Sequence, residues 1–173
     1  FATRKVTLAT TAQVPEACSV IVDANPRTLY TPPESASLAV YLAAGGAMLL
    51  LYDPGFPIEA HLATLLAQAG VHVGEGSVVD PLDHYFTDER MVAVTRYTPH
   101  PITRGLALSF YPGIRPLAVL NVPGVTVTPL LHSSAESYVR PLSGEANTAE
   151  RGPQVLASAT TGVWPGASAD TPF

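Results

Sequence analysis

The 173 residues are enough for a domain of ordinary size with its own core, and an apolar content of 47% excludes a disordered chain. Only 13% of the residues are charged, against about 25% in an average globular protein, so much of the surface must be Ser, Thr, Pro, Ala and Gly. The net charge of −5 and nine scattered basic residues, of which only Arg4 and Lys5 are adjacent, exclude the clustered cationic face a nucleic-acid partner requires.

The single cysteine, Cys18, excludes a disulfide within the chain. Its setting in "ACSVIV" reads as a small buried hydrophobe inside a strand, and redox compartment cannot be read from it. No signal peptide is visible and the first residue is Phe, which we read as the start of an excised fragment. The longest mostly apolar run, residues 38–52, is broken by Gly45 and Gly46 and falls short of the roughly 20 residues of a membrane-spanning helix.

In chain order, "RKVTLAT" at 4–10 has strand character. "CSVIVDANP" at 18–26 predicts a buried strand leaving into a turn. "TPPESASLAVYLAAGG" predicts a helix, with Thr31 as N-cap, Pro32 and Pro33 in the first turn, Glu34 close behind and Gly45 as the stop. "AMLLLYDPG" at 47–55 is a second buried strand. "FPIEAHLATLLAQAG" at 56–70 is a second helix, with Ile58, Leu62, Leu65 and Leu66 at helical spacing and Gly70 at its end.

"VHVGEGSVVD" at 71–80 gives one or two short strands around a Gly-rich turn. "PLDHYFTDER" at 81–90 is charged and reads as a loop. Shorter strands follow at 91–97 and within 107–120, where Tyr111, Pro112 and Gly113 make a turn. "GVTVTPLLHSS" at 124–134 is a further strand, "PLSGEANTAE" at 141–150 a loop and "PQVLASAT" at 153–160 the last strand. Residues 161–173 lack any period and read as a loose tail or a truncated last element.

Strand, helix, strand, helix, strand with continuous apolar strands predicts an α/β three-layer sandwich around a mostly parallel sheet, with additional short strands in the C-terminal half. One domain is expected over residues 1–160.

Motifs for chemistry are few. The only lysine is Lys5, so no P-loop exists; no G-x-S-x-G elbow, C-x-x-C pair or dinucleotide fingerprint occurs. No cofactor is expected. Asp83, His84, Asp88 and Glu89 supply donor atoms within one charged stretch, but a solvated loop accounts for them better than a metal site, and no metal is expected. In "TPHPITRGL", Pro99 and Pro101 hold Thr98 and His100 extended, Thr103 can close a turn and Gly105 can take positive φ. A general base would need a nucleophile and an orienting carboxylate nearby, so the segment reads first as a rigid turn and second as a binding element.

"YLAAGGAMLLLYDP", "GVHVGEGSVVDP", "HPITRGL", "YPGIRPL", "VTPLLHSSAESYV" and "GPQVLASA" occur in that order. Together they resemble the extracytoplasmic domain of the auxiliary component of uncharacterised ABC-type transport systems, the gliding-motility-type family, over roughly residues 18–160. The resemblance implies a flavodoxin-like or class I glutamine-amidotransferase-like fold. It also implies a place beside an ABC permease and ATPase, and membrane anchoring by segments outside this fragment, with the domain facing the periplasm or cell exterior. It carries no catalytic residues. A closing strand with a "GDSDF"-like end is replaced here by "TGVWPGASADTPF", and the family's "TS" by His132, Ser133 and Ser134.

The expected function is a non-catalytic accessory domain acting through protein or substrate contact. "HPITRGL" also resembles amidotransferase-like domains of the trehalose-utilisation type, which keeps a hydrolase or sugar-binding alternative. Ligands of parallel sheets bind beyond the carboxyl ends of the strands. That placement makes Asn25, Asp53 and Asp80 candidate contacts for a small molecule, sugar or partner, with His100 and Arg104 reaching in from the turn.

Overall fold

A computed structural model describes residues 2–141, 151–168 and 171–173. The expected loop at 141–150 lies, except for Pro141, outside the described residues. Two compact units divide the chain. One comprises Phe1–Ala69, Asn121–Thr126 and Thr161–Phe173; the other comprises Gly70–Leu120 and Val127–Thr160.

The first unit opens with a single helical turn, α1 (Leu8–Thr11), where a strand was expected. Thr7 explains the difference: its carbonyl accepts the N–H and the hydroxyl of both Thr10 and Thr11, a local set of bonds that favours a turn over an extended chain. β1 (Val20–Ala24) follows, then α2 (Pro32–Ala43), β2 (Ala47–Leu51) and α3 (Ala60–Gln68). The Glu34 carboxylate reaches back to accept the N–H (2.9 Å) and hydroxyl (2.7 Å) of Thr31, which holds the start of α2. These bonds hold the Glu34 carboxyl below the usual range. Gly45 and Gly70, both at positive φ, follow the two helices.

β1 and β2 pair in parallel, Val20 with Ala47 through Ala24 with Leu51. Leu38 and Leu42 of α2 and Leu62, Leu65 and Leu66 of α3 are buried, each contributing about 1.5–3 kcal/mol. Tyr41 ties α2 to the strands. Its hydroxyl lies 3.3 Å from the Cys18 carbonyl and 3.2 Å from both the carbonyl and the N–H of Ala47. Cys18 itself precedes β1, is half-exposed and donates its thiol to the Val20 carbonyl at 3.4 Å, so it is not the buried strand residue expected.

The C-terminal segment expected as a loose tail is tied into this unit. Val163 donates to the Gly124 carbonyl (2.9 Å) and bridges Pro172, and Trp164 is buried with its ring edge-on to Phe173, centroids 5.3 Å apart. Aromatic burial supplies the order that backbone periodicity did not announce.

The second unit is built from β3 (Val71–Val73), β4 (Ser77–Val79), β5 (His84–Tyr85), β6 (Asp88–Val94), β7 (Ser109–Pro112), β8 (Leu117–Val119), β9 (Val125–His132), β10 (Tyr138–Arg140) and β11 (Val155–Gly162); the first two residues of β9 and the last two of β11 belong to the first unit. Its sheets run β3-β8-β11-β9, β5-β6-β7 and β10-β4. Val78, Val92, Val94, Leu130, Leu131 and Leu156 form its core, with Tyr97, Tyr111 and Ile114 packed against them.

This topology overturns the expected three-layer sandwich around a mostly parallel sheet. Of the described residues 34% are strand and 16% helix, and the sheets are mostly antiparallel. Only β1 and β2 pair in parallel among the registers described; β10–β4, β11–β8, β3–β8, β5–β6 and β6–β7 are antiparallel. β1 and β2 are joined through α2, a crossover long enough for a parallel pair, whereas α3 leads into β3 of a different sheet and the short links after β5 and β7 force hairpins or changes of sheet. Gly76 at φ 108° breaks the apolar run at 71–80 into β3 and β4, which join different sheets. The charged stretch expected as a loop at 81–90 instead carries β5 and the start of β6.

Candidate functional site

The turn at 98–106 is held from inside. Thr98 donates its N–H to the Leu130 carbonyl of β9 at 2.9 Å. Thr103, 6% exposed, donates its hydroxyl to the Thr98 carbonyl at 2.7 Å and lies 3.1 Å from the His100 carbonyl. Its N–H goes to the same His100 carbonyl, and the Leu106 N–H to the Thr103 carbonyl, both at 3.1 Å. Gly105 takes φ 82°, where an L residue is strained. The His100 Nδ1 accepts the Ile102 N–H at 3.2 Å, so the neutral ring carries its proton on Nε2.

Around this frame Pro99, His100, Pro101 and Arg104 line a shallow, open depression. Arg104 is exposed and His100 half-buried. Two rigid prolines, one N–H donor on an imidazole and one guanidinium can contact an anionic or polar group on a ligand or partner. They make no pairing of base and carboxylate, because the His100 ring is turned to its own backbone.

Asp80 lies in the same unit but in a different setting. It is fully buried, and its carboxylate accepts four donors: the Ser134 N–H at 2.7 Å, the Ser134 hydroxyl at 2.6 Å, and the N–H groups of Leu82 and Asp83 at 3.1 and 3.0 Å. Its carbonyl holds the His84 Nδ1 at 2.9 Å. The adjoining serines close a second network. Ser133 and Ser137 hydroxyls are 2.6 Å apart, Ser137 donates to the Ser134 carbonyl at 2.8 Å, and Ser133 accepts the Gln154 N–H at 2.8 Å. With three donors on Oδ1, one on Oδ2 and no exposed surface, the Asp80 carboxylate fixes the chain.

Asn25 and Asp53 belong to the first unit, at the carboxyl ends of β1 and β2. Asn25 sits at φ 54°, a conformation Asn tolerates, and donates its N–H to the Leu51 carbonyl at 2.7 Å. The Asp53 carboxylate accepts the Gly55 N–H at 3.0 Å and its carbonyl the Phe56 N–H at 2.9 Å, a turn of the Asx kind. Both are exposed.

The sequence reading missed a cluster beside them. Tyr30 donates to the Asp23 carboxylate, Tyr52 donates to the Tyr30 hydroxyl at 3.4 Å, and the Tyr52 ring stacks on Phe56 with centroids 5.2 Å apart. Burial, and then the bond to Asp23, pushes the Tyr30 phenol far above its usual range; burial does the same to Tyr52. No local spacing announces this cluster, since its members come from β1, the link before α2 and the end of β2. In the stretch weighed as a metal site, Asp83 pairs with Arg96 (3.1 Å) and Asp88 with Arg90 (3.4 Å). Among the described residues no three His, Cys, Asp or Glu side chains converge in a geometry that could hold a metal ion, and no helix is long and apolar enough to cross a membrane.

A family model described as "ABC-type uncharacterized transport system" matches residues 1–172. Among solved structures, the "mmIFT52 N-terminal domain" is similar to this chain with a TM-score of 0.54 at 23% identity, over 71% of this chain and 56% of that one. At that identity the likeness concerns the fold alone, and this chain spans little more than half of that structure's length. No curated protein matches.

Proposed function

The chain belongs to the family of auxiliary components of uncharacterised ABC-type transport systems, and from that membership we propose that it is a non-catalytic accessory domain that works by contact with the other transporter subunits. In this reading it stands beside a permease and an ATPase. Membrane segments outside these residues anchor it, and the domain faces the periplasm or cell exterior.

The observation that carries the reading is the match of the family model over residues 1–172. The state of the reactive groups supports it. The buried Asp80 carboxylate holds four donors, the Ser134 hydroxyl among them, Ser133 and Ser137 bond to each other and to backbone, and the Cys18 thiol is turned to a carbonyl. Groups so committed hold a fold together; a nucleophile has to be presented to its substrate beside a free base. Pro99, His100, Pro101 and Arg104, on a turn fixed from within, form the contact element we assign to a subunit or a transported polar ligand. Asn25 and Asp53 are secondary candidates for such contact.

The test is reconstitution of the full-length component with the permease and ATPase of its own transport system. We expect co-elution, and loss of co-elution or of stimulated ATP hydrolysis on Arg104→Ala combined with His100→Ala. Hydrolytic turnover by the purified chain that His100→Ala abolishes would instead establish the enzymatic alternative.

A further inference from the structure

The turn at 98–106 presents two donors that the chain itself leaves unused. Arg104 is exposed, and among the described residues no carboxylate lies within salt-bridge distance of it, whereas Arg90 pairs with Asp88, Arg96 with Asp83 and Arg151 with Glu136. The His100 ring is the second. Its Nδ1 accepts the Ile102 N–H at 3.2 Å, which leaves the proton on Nε2, and among the described residues Nε2 has no partner. Both side chains line one open depression of about 340 Å³, and Pro99 and Pro101 complete its lining.

The frame beneath holds these donors ready. The buried Thr103 donates its hydroxyl to the Thr98 carbonyl at 2.7 Å, and Thr98 donates its own N–H to the Leu130 carbonyl of β9. Each proline fixes its own φ and restricts the residue before it. A ligand therefore meets a backbone that is already ordered, and the remaining entropy cost falls mainly on the Arg104 side chain.

The chemistry of the lining selects the ligand. A guanidinium carries five N–H donors in a planar fork and no acceptor, and that fork matches the two oxygens of a carboxylate. The imidazole adds one more N–H. The lining holds neither a second cation nor a helix N-terminus, the features that the greater charge of a phosphate calls for. Pro99 and Pro101 present ring methylenes and no N–H, so they suit the carbon atoms beyond the carboxylate.

We propose that Pro99, His100, Pro101 and Arg104 form a carboxylate-binding site, in which Arg104 engages both oxygens and His100 donates from Nε2. The proposal rests on the reading of this turn as the contact element of a transporter accessory domain, and it gives that element its ligand chemistry. Because the depression is open to water, a single carboxylate binds weakly, with a Kd of about 1–10 mM.

NMR titration of the isotope-labelled chain tests it with three probes. N-acetylglutamate methylamide carries its carboxylate as a protein side chain does, glucuronate carries one on a small soluble molecule, and inorganic phosphate is the competing anion. We expect both acids to shift the resonances of residues 98–106 and phosphate to bind more weakly than either. Arg104→Gln should weaken carboxylate binding about tenfold or more, and Arg104→Lys, which keeps the charge and loses the fork, about threefold to tenfold. His100→Phe should weaken it about threefold to tenfold. Arg27→Gln removes the same charge from an exposed position in the first unit and should change nothing. The absence of shifts in the turn at about 50 mM of either acid overturns the proposal. So does unchanged binding by Arg104→Gln, a His100 proton found on Nδ1, or phosphate binding more tightly than both acids. A preference of about tenfold between the two acids identifies the source of the carboxylate and leaves the site standing. Co-elution with the transporter subunits in the absence of carboxylate binding overturns this site alone, while carboxylate binding without co-elution supports the site and counts against the accessory reading.

Discussion

Ser134 grips the Asp80 carboxylate with both its donors: the backbone N–H binds Oδ2 at 2.7 Å and the hydroxyl binds Oδ1 at 2.6 Å. The two residues are 54 positions apart, so this contact staples the start of the hairpin region to the segment after β9.

Asp80→Asn should therefore destabilise the second unit by about 2–4 kcal/mol, because an amide nitrogen would face donors that have no water to turn to. Ser134→Ala, which removes one donor and leaves the backbone bond, should cost about 1–2 kcal/mol. Urea unfolding at neutral pH measures both. A loss within experimental error for Asp80→Asn would show the carboxylate to be solvated.

Gly152→Ala tests the serine network from the other side. A Cβ there falls inside the contact shell of the Ser137 hydroxyl and the Ser134 carbonyl. The Gly152 N–H already donates to the Ser137 carbonyl at 2.6 Å, so the backbone has no slack. We expect about 1–3 kcal/mol of destabilisation from overpacking, read as a lower urea midpoint. Wild-type stability would mean the loop backs away freely.

Thr103→Val separates the frame of the 98–106 turn from its face. Losing the hydroxyl bond to the Thr98 carbonyl should cost about 1–2 kcal/mol and quicken proteolysis within the turn. His100→Ala should change stability by less than about 0.5–1 kcal/mol, since it removes one half-exposed bond to the Ile102 N–H. Equal protease resistance of wild type and Thr103→Val would remove Thr103 as the turn's brace.

The Tyr30 and Tyr52 phenols are raised above their ordinary value, first by burial. Below about pH 10 both the folded and unfolded phenols are neutral and their contribution to stability is complete. Above that pH the unfolded chain releases protons that the folded chain retains, so stability falls as pH rises. Tyr52→Phe should flatten this alkaline decline, and Tyr30→Phe should flatten it further while lowering stability at pH 7, because Asp23 loses its donor. Parallel stability–pH curves for wild type and both variants would sink the assignment.

Several elements were legible without coordinates because their causes are local. Thr31, Pro32, Pro33 and Glu34 specify the start of α2 within four residues, and Gly45 and Gly70 mark where α2 and α3 end. The turn at 98–106 was likewise written in its prolines, Thr103 and Gly105. The candidate contacts were not legible in the same way. Asp80 was expected at an open sheet edge, but Ser134, far along the chain, turns its carboxylate inward. Asn25 and Asp53 fall in the first unit and Asp80, His100 and Arg104 in the second, a division that no local pattern announced.

The sequence by itself determined where α2 and α3 lie, the turn at 98–106 and the scarcity of clustered basic residues. Those follow from residues a few positions apart. Only the tertiary structure decided strand direction, which apolar runs share a sheet, and which polar side chains are spent on internal bonds. A strand's apolar pattern is the same whichever way its neighbour runs, and a carboxylate's partners are settled by segments that meet only once the chain has folded.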